Sequence, residues 1–509
     1  MAFIDARTLP NATEIEADLI IIGGGMAGIT IAREWAGLNK RVAILESGGR
    51  EFDQANQDLY RGAGVIRAPD NADQDATDYP YQSRYRALGG AGNVWGGKCV
   101  PLDPSDFAER PWLPMTGWPM SRADLQPFFD RACRLLQIPL FDRDWDQPQD
   151  EDRPPLVING ARDFFSAPRF FSPLSGQADA ARFDEFRTGF ADEPNIDVYL
   201  NANVVRLNRR RRERRIRNLD IACLNGHRHT ARARTYILAA GGIENVRLLL
   251  ASELEHPLLG RCFMGHVTFG AFDDEKPISM VAVSDASHPM PLYTDNSRDR
   301  FHCVYAATLE GQRRFNIGNF TATMFDARGQ IPPPAETPAV LALQAALDLA
   351  APNATAARPL PTFFMSEQLP NPESRITLDP ANTDALGMPR IRLEWNYTER
   401  DMDNLEAGIA ALSTELGAES LGRVCWPVPR NELLAILSPS RHHMGTTRMS
   451  TDRDQGVVDA ECRMHGLDNL YIAGSSVFPT SGIANPTLTL IALAMRMSDH
   501  LKQDLGARA

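Results

Sequence analysis

The chain is poor in the features that tie a protein to a metal, a membrane or a nucleic acid. Its seven cysteines, Cys99, Cys133, Cys223, Cys262, Cys303, Cys425 and Cys462, are scattered, odd in number and without a C-x-x-C pair. Such spacing excludes a disulfide framework and fits neither a zinc nor an iron–sulfur site, so reduced, mostly buried thiols and no metal are expected. No apolar run approaches the roughly 20 residues that cross a bilayer. The opening MAFIDARTLPNATEIE lacks a basic start followed by an apolar core, so a cytoplasmic location is expected. Positive charge is scarce as well, with 53 Lys and Arg against 65 Asp and Glu and a net charge of -12. Phosphate neutralisation needs clustered cations, so no nucleic-acid partner is expected. The one basic run, RLNRRRRERRIRN, lies between two alternating, strand-like stretches, NIDVYLNANVV and LDIACLNG. It is expected to be a solvated hairpin turn.

What remains is an ordinary globular composition, 43% hydrophobic and 23% charged, over 509 residues. That length exceeds one usual hydrophobic core, so two units with a cleft between them are expected. The first pattern is ADLIIIGGGMAGITIAREWAGLNKRVAILESGG. An unbroken apolar run, a helical periodicity and a second apolar run make a βαβ unit. ARTYILAAGGIENVRLLLAS repeats strand, glycine turn and helix, and LDNLYIAGSSVFP followed by NPTLTLIALAMRMSDHL adds a last strand and helix. Between them lie a helix in TGWPMSRADLQPFFDRACRLLQIP, an acidic loop QPQDEDRPP, and a proline-flanked helix in PPPAETPAVLALQAALDLAAPNATAARP. YAATLE, FNIGNFTATMF, TFFMSEQLP, SRITLD and PRIRLEWNYT read as consecutive strands of one antiparallel sheet.

The fold class expected is therefore α/β: a discontinuous Rossmann-like nucleotide-binding domain from 1–110, 195–270 and 440–509, and an α+β domain from 111–194 and 271–439. Gly23, Gly25 and Gly28 form G-x-G-x-x-G between the first strand and helix. The first glycine permits a tight turn, the second a close approach to a pyrophosphate at the positive helix end, and the third close helix–strand packing. Glu46 ends the next strand, where a carboxylate holds a ribose diol and repels a 2′-phosphate. FAD and NAD share this fingerprint. RYRALGGAGNVWGGKC then packs five glycines around Asn93 and Trp95, a density that marks backbone lying against a flat or charged ligand.

GGGMAG with LESGG, GGAGNVWGG, LAAGGIEN and the C-terminal run from HHMGTTRMS to ANPTLTLIALAMRMSDHL occur in one order along nearly the whole chain. In this the chain resembles the glucose-methanol-choline (GMC) oxidoreductases, FAD enzymes that oxidise alcohols and sugars. TGWPMSRADLQPFFDRA and EQLPNPESRITLD look like the branch of pyranose oxidases and bacterial glycoside 3-oxidases. The resemblance implies a GMC fold whose middle domain lays a substrate cleft against the isoalloxazine ring. It also implies a cofactor cradle of Gly23, Gly25, Met26, Ala27, Gly28, Glu46, Ser47, Ala91, Gly92, Asn93, Val94, Val204, Ala240, Gly474, Ser475, Pro486 and Thr487. Members with covalently attached flavin carry a histidine where this chain has Val94, so FAD is expected to be held non-covalently.

Oxidising an alcohol requires a base for the hydroxyl proton, and an imidazole suits that task while the flavin takes the hydride. By the family pattern H-x-x-G-T, His442 is that base and Asn485 in ANPTLT its partner. If HHMGT is extended, His442 and His443 project to opposite sides, which leaves His443 a packing neighbour. Asn485 also precedes a proline at the start of the last helix, so an N-cap role competes with the catalytic one. Glu367 and Gln368 are candidates for the cleft or for solvent, residues 61–86 for a lid or a surface loop, and His266 for packing. The function expected is oxidation of a secondary hydroxyl of a sugar or glycoside, with dioxygen or another electron acceptor, in a monomer or oligomer. A non-sugar alcohol is the alternative. An NAD(P)H-dependent flavin reductase or monooxygenase would carry a second dinucleotide fingerprint or a redox cysteine pair, neither of which is visible. A non-catalytic flavoprotein would not need His442 and Asn485.

Overall fold

Leu19–Ile22 and Val42–Leu45 contain no polar residue, and strands of this kind must be covered on both faces. All eight residues are buried. They form the centre of a six-stranded, all-parallel sheet in the order Phe3–Asp5, Ile196–Leu200, Val42–Leu45, Leu19–Ile22, Thr235–Leu238, Leu470–Ile472. The computed structural model describes residues 3–69, 73–141, 163–190, 192–210, 212–270, 279–283, 301–324, 358–418, 423–425, 430, 437 and 439–508. The sheet's strands lie within residues 3–45, 196–238 and 470–472.

Met26–Glu34 and Thr487–Leu505 are the helices that cover this sheet nearest the glycine turn, and they pack on each other. Arg122–Leu135 packs on the last helix. It starts in a Ser121/Asp124 capping box and tolerates Pro127 in its interior. Arg131 ties it to Glu34 and Asp499 at 2.5 and 2.6 Å.

The antiparallel strands divide differently from the sequence expectation. Phe301–Ala307, Phe320–Met324 and Arg358–Glu367 share an eight-stranded sheet with Ser279–Val283, Phe164–Phe171, Arg423–Cys425, His266–Gly270 and the short edge strand Lys98–Cys99. Arg375–Thr383 and Pro389–Asn396 leave it. They form a separate four-stranded sheet with Ala63–Arg67 and Gln74–Asp75. Alternation along a strand says which face is buried but not which neighbour pairs with it, and these neighbours lie about three hundred residues upstream. The stretch 61–86 is consequently not a bare surface loop: it supplies two strands and the short helix Tyr79–Gln82.

The arginine run is a hairpin connection. Asn203–Asn208 and Asn218–Ala222 pair antiparallel with Asn208 opposite Asn218. Arg214 meets Asp468 at 2.8 Å and Arg217 meets Glu213 at 2.5 Å, both exposed. Cys99, Cys133, Cys223, Cys262 and Cys462 are buried free thiols. The acidic loop 147–155 and the helix expected in 332–357 lie outside the described residues.

Candidate active site

A cavity of about 520 Å³ opens between the parallel sheet and the edge strand Lys98–Cys99. Its walls carry the mouths of both covering helices. Gly25 precedes the first, and Asn485, Pro486 and Thr487 begin the last. Two helix N-termini on one cavity make a positive rim suited to an anionic ligand.

The three fingerprint glycines occupy three different environments. Gly23 has φ +107°, and a Cβ there would lie 2.6 Å from the Ala239 carbonyl. A Cβ on Gly28 would lie 2.0 Å from the Gly23 carbonyl, so helix and turn touch only because it is absent. Gly25 has nothing within 4 Å and faces open cavity. Turn, packing and ligand approach are thus separate duties, as the pattern requires. Glu46 is buried, and its two oxygens accept from the amides of Gly24 and Gly48 at 2.7 Å each, which aims the carboxylate at the cavity.

Of the residues expected in the cofactor cradle, Gly23, Gly25, Met26, Ala27, Glu46, Ser47, Ala91, Gly92, Val94, Val204, Ala240, Gly474, Ser475, Pro486 and Thr487 line this one cavity. Gly28 and Asn93 do not line it. Asn93 turns inward and donates from Nδ2 to the carbonyls of Leu88 and Gly90, bracing the glycine-rich loop.

His442 also lines the cavity, with Nε2 3.5 Å from Nδ2 of Asn485. The N-cap alternative for Asn485 fails: the last helix begins at Thr487 with no side-chain cap hydrogen bond, so the amide is free to face the imidazole. Burial, with the Lys98 ammonium nearby, holds the His442 imidazole down to about 4. It therefore stays neutral, with one ring nitrogen bare, across the ordinary working range. Lys98 itself is held at about 8 by burial and Arg169.

His443 departs from its neighbour. Its ring lies edge-on to Tyr79 and tilted against Phe263. Tyr79 spends its O–H on the Ser440 carbonyl at 2.6 Å, so at 3.1 Å the His443 Nε2–H donates to the Tyr79 oxygen. Both imidazoles reach the cavity wall, but only His442 presents a ring nitrogen to Asn485.

Sequence reasoning missed several residues of the site. His266, read as packing, is fully buried with Nδ1 2.9 Å from Nδ1 of His442. Tyr60, Arg84, Arg86, Glu244, Lys98 and Arg441 line the cavity. Arg84 and Arg86 stand at 3.7 and 4.6 Å from the Tyr60 ring centroid, and Arg84 meets Glu244 at 2.9 Å. Glu367 and Gln368 are neither solvated nor at the cleft surface. Glu367 receives both guanidinium ends of Arg110 at 2.7 Å, and Gln368 accepts from Gly265 N and Trp395 Nε1.

This geometry can be set beside known proteins. The FAD dependent oxidoreductase family matches residues 18–350, and the GMC oxidoreductase family matches residues 370–494. The chain belongs to the FAD-dependent GMC oxidoreductases. It is 24% identical to 6'''-hydroxyparomomycin C oxidase of Streptomyces lividus, across 98% of this chain and 93% of that one. It is 32% identical to C-glycoside 3-oxidase of Arthrobacter globiformis, but across only 26% of this chain and 25% of that one. The solved structure of pyridoxine 4-oxidase from Mesorbium loti superposes with a TM-score of 0.60 at 18% identity, covering 96% of this chain and 99% of that one. Likeness over the full length thus extends to an aminoglycoside oxidase and, at 24% identity across 96% of this chain and 95% of that one, to 2-methyl-1,2-propanediol dehydrogenase of Mycolicibacterium austroafricanum, while the glycoside 3-oxidase branch expected from the sequence is matched over a quarter of the chain.

The GMC oxidoreductase acts on CH–OH donors with FAD, and its fold is the α/β GMC fold with a parallel FAD-binding sheet and an antiparallel substrate-domain sheet. The cavity fits the cofactor on its own terms. Gly25 and Gly241 leave open space where side chains would intrude, and Arg86 Nε is a buried donor without a partner. Glu46 lines the cavity with its carboxylate fixed by two backbone amides, a group chemically suited to accept from a ribose diol. Among the described residues no helix is long and apolar enough to cross a membrane, and no cluster of His, Cys, Asp or Glu is arranged to hold a metal ion.

Proposed function

We propose that this GMC oxidoreductase oxidises a secondary hydroxyl of a sugar-like ring, an aminoglycoside, glycoside or pyranose, to the ketone. The observation that carries the assignment of roles is the 3.5 Å approach of His442 Nε2 to Asn485 Nδ2 on the wall of the nucleotide cavity. A neutral imidazole there takes the hydroxyl proton, while the Asn485 amide orients the hydroxyl without competing for it. Bound FAD supplies the hydride acceptor. The choice of a sugar-like substrate is supported by a full-length likeness to an aminoglycoside oxidase and a shorter likeness to a C-glycoside 3-oxidase.

FAD is held without a covalent bond in this reading. Val94 lines the cavity from the glycine-rich loop, and valine has no nucleophile. Denaturation followed by filtration is expected to release all the yellow colour into the filtrate. Colour retained on the unfolded chain rejects the non-covalent assignment.

The substrate class is tested by mixing the FAD-loaded protein anaerobically with aminoglycosides, glycosides, free pyranoses, a small diol and NADH, and following flavin bleaching. Bleaching by one or more of the sugar-like alcohols is expected. Bleaching by the diol alone overturns the substrate class, and bleaching by NADH alone overturns the reaction.

A further inference from the structure

His266 opens the strand His266–Gly270, opposite Glu367 in the eight-stranded sheet, and its side chain is wholly buried. Its backbone amide donates to Ser440 Oγ at 2.8 Å, which ties the strand to the segment just before His442. The two imidazoles meet edge to face, with ring centroids 5.0 Å apart and planes at 86°. Their Nδ1 atoms are 2.9 Å apart. A contact of that length between two ring nitrogens holds one proton, because two N–H groups would repel and two lone pairs would not bind.

The other nitrogen of His442 decides where that proton sits. Asn485 presents its Nδ2, a donor, at 3.5 Å from His442 Nε2. An Nε2–H on His442 would set donor against donor and would leave no lone pair to receive a substrate proton. His442 is then protonated on Nδ1 and donates to an unprotonated Nδ1 of His266. Burial, followed by the nearness of His442, holds His266 well below the ordinary histidine value, which keeps it a neutral acceptor.

We propose that His266 is a positioning residue: by accepting the Nδ1 proton of His442 it selects the tautomer whose Nε2 lone pair faces Asn485 and the substrate hydroxyl. When His442 takes the substrate proton on Nε2, its Nδ1–H still donates to His266, so the new cation keeps its partner and no second proton moves. A carboxylate in this place would hold the same tautomer with a buried charge; an imidazole does so without one. The inference rests on the reading of His442 as the base.

The test has a spectroscopic and a kinetic arm, both on the FAD-loaded protein. In the wild type, ¹⁵N-histidine NMR, with the His442→Gln spectrum to assign the signal, is expected to show His442 protonated on Nδ1 and bare on Nε2. The kinetic arm compares two variants. His266→Leu removes the acceptor, and flavin reduction is expected to slow by about 100-fold, the scale of a general base's contribution, with substrate KM little changed. His266→Asn places an amide oxygen near the former Nδ1 and is expected to recover most of that loss.

A His442 signal protonated on Nε2 in the wild type overturns the proposal, and this holds even if the Leu variant fails to retain FAD. Equal slowing of the Leu and Asn variants also overturns it, since that is the signature of packing alone. The base assignment fails separately, if His442→Ala reduces its flavin at the ordinary rate while the wild-type tautomer is as described.

Discussion

At the scale of single residues, the paired imidazoles of HHMGT are separated by bookkeeping of donors and acceptors. His442 offers a lone pair toward Asn485, whereas His443 spends its Nε2–H on Tyr79 and packs against Phe263. Burial, with Arg84 and His442 nearby, holds His443 down to about 3, which makes it a neutral structural donor. His442→Ala is expected to slow flavin reduction by at least about 100-fold. His443→Ala is expected to act chiefly on stability and FAD retention. Single-turnover reduction with a saturating alcohol checks both, and equal kinetic damage from the two variants would dissolve the division of roles. His442 and Asn485 could be picked out of the sequence because each stands in a short local motif. His266 could not: it lies 176 residues from His442 with no motif of its own, and only the pairing of its strand brings the rings together.

At the scale of elements, the strand beside the His266 strand is anchored by a buried ion pair. Glu367 ends the strand that pairs with the His266 strand, and its carboxylate is clamped by Arg110 and Asn319 N with no access to water. Removing one partner of a buried ion pair strands the other charge, which costs about 3–5 kcal/mol. Arg110→Met is expected to destabilise the protein by that amount in urea titrations of the FAD-loaded form. Adding Glu367→Leu is expected to recover most of the loss, because an apolar pair of similar volume leaves no charge behind. A single variant as stable as wild type would contradict the clamp. From sequence, Glu367 at a strand end was open between cleft and solvent. Its guanidinium partner sits 257 residues away, and nothing in either local pattern announces the pairing. The elements themselves were legible, since an unbroken run such as LIII and the period of the last helix are local properties.

At the scale of the whole molecule, burial of imidazoles sets a pH dependence of stability. His442, His443, His266, His229 and His256 are all held below the ordinary value in the folded chain, mainly by burial. Unfolded histidines titrate near 6.5, so below that pH the unfolded chain binds protons that the folded one refuses. Their contribution to stability is full above about 6.5 and is lost as pH falls toward 4. Asp106, raised above the carboxylate range, and Asp401, raised to about 6, are pushed up by burial and oppose this trend. Five imidazoles outweigh two carboxyls, so Tm of the protein in saturating FAD is expected to fall as pH is lowered from 6.5 to 5. A flat or rising profile in that window would refute the balance.

The sequence alone determined the nucleotide fold, because glycine turns, apolar strands and helix starts are written within a few tens of residues and their physics is local. The candidate base His442 and its partner Asn485 were legible only through the likeness of HHMGT and ANPTLT to the family's motifs, since the residues by themselves do not choose between His442 and His443. Only the tertiary structure decided which strands leave the main antiparallel sheet, that Asn485 is free of a capping role, that Lys98 charges the cavity, and that His266 holds the back of His442. Those contacts join residues tens to hundreds of positions apart, and their energies depend on burial and atomic distance, quantities that exist only once the chain has closed on itself.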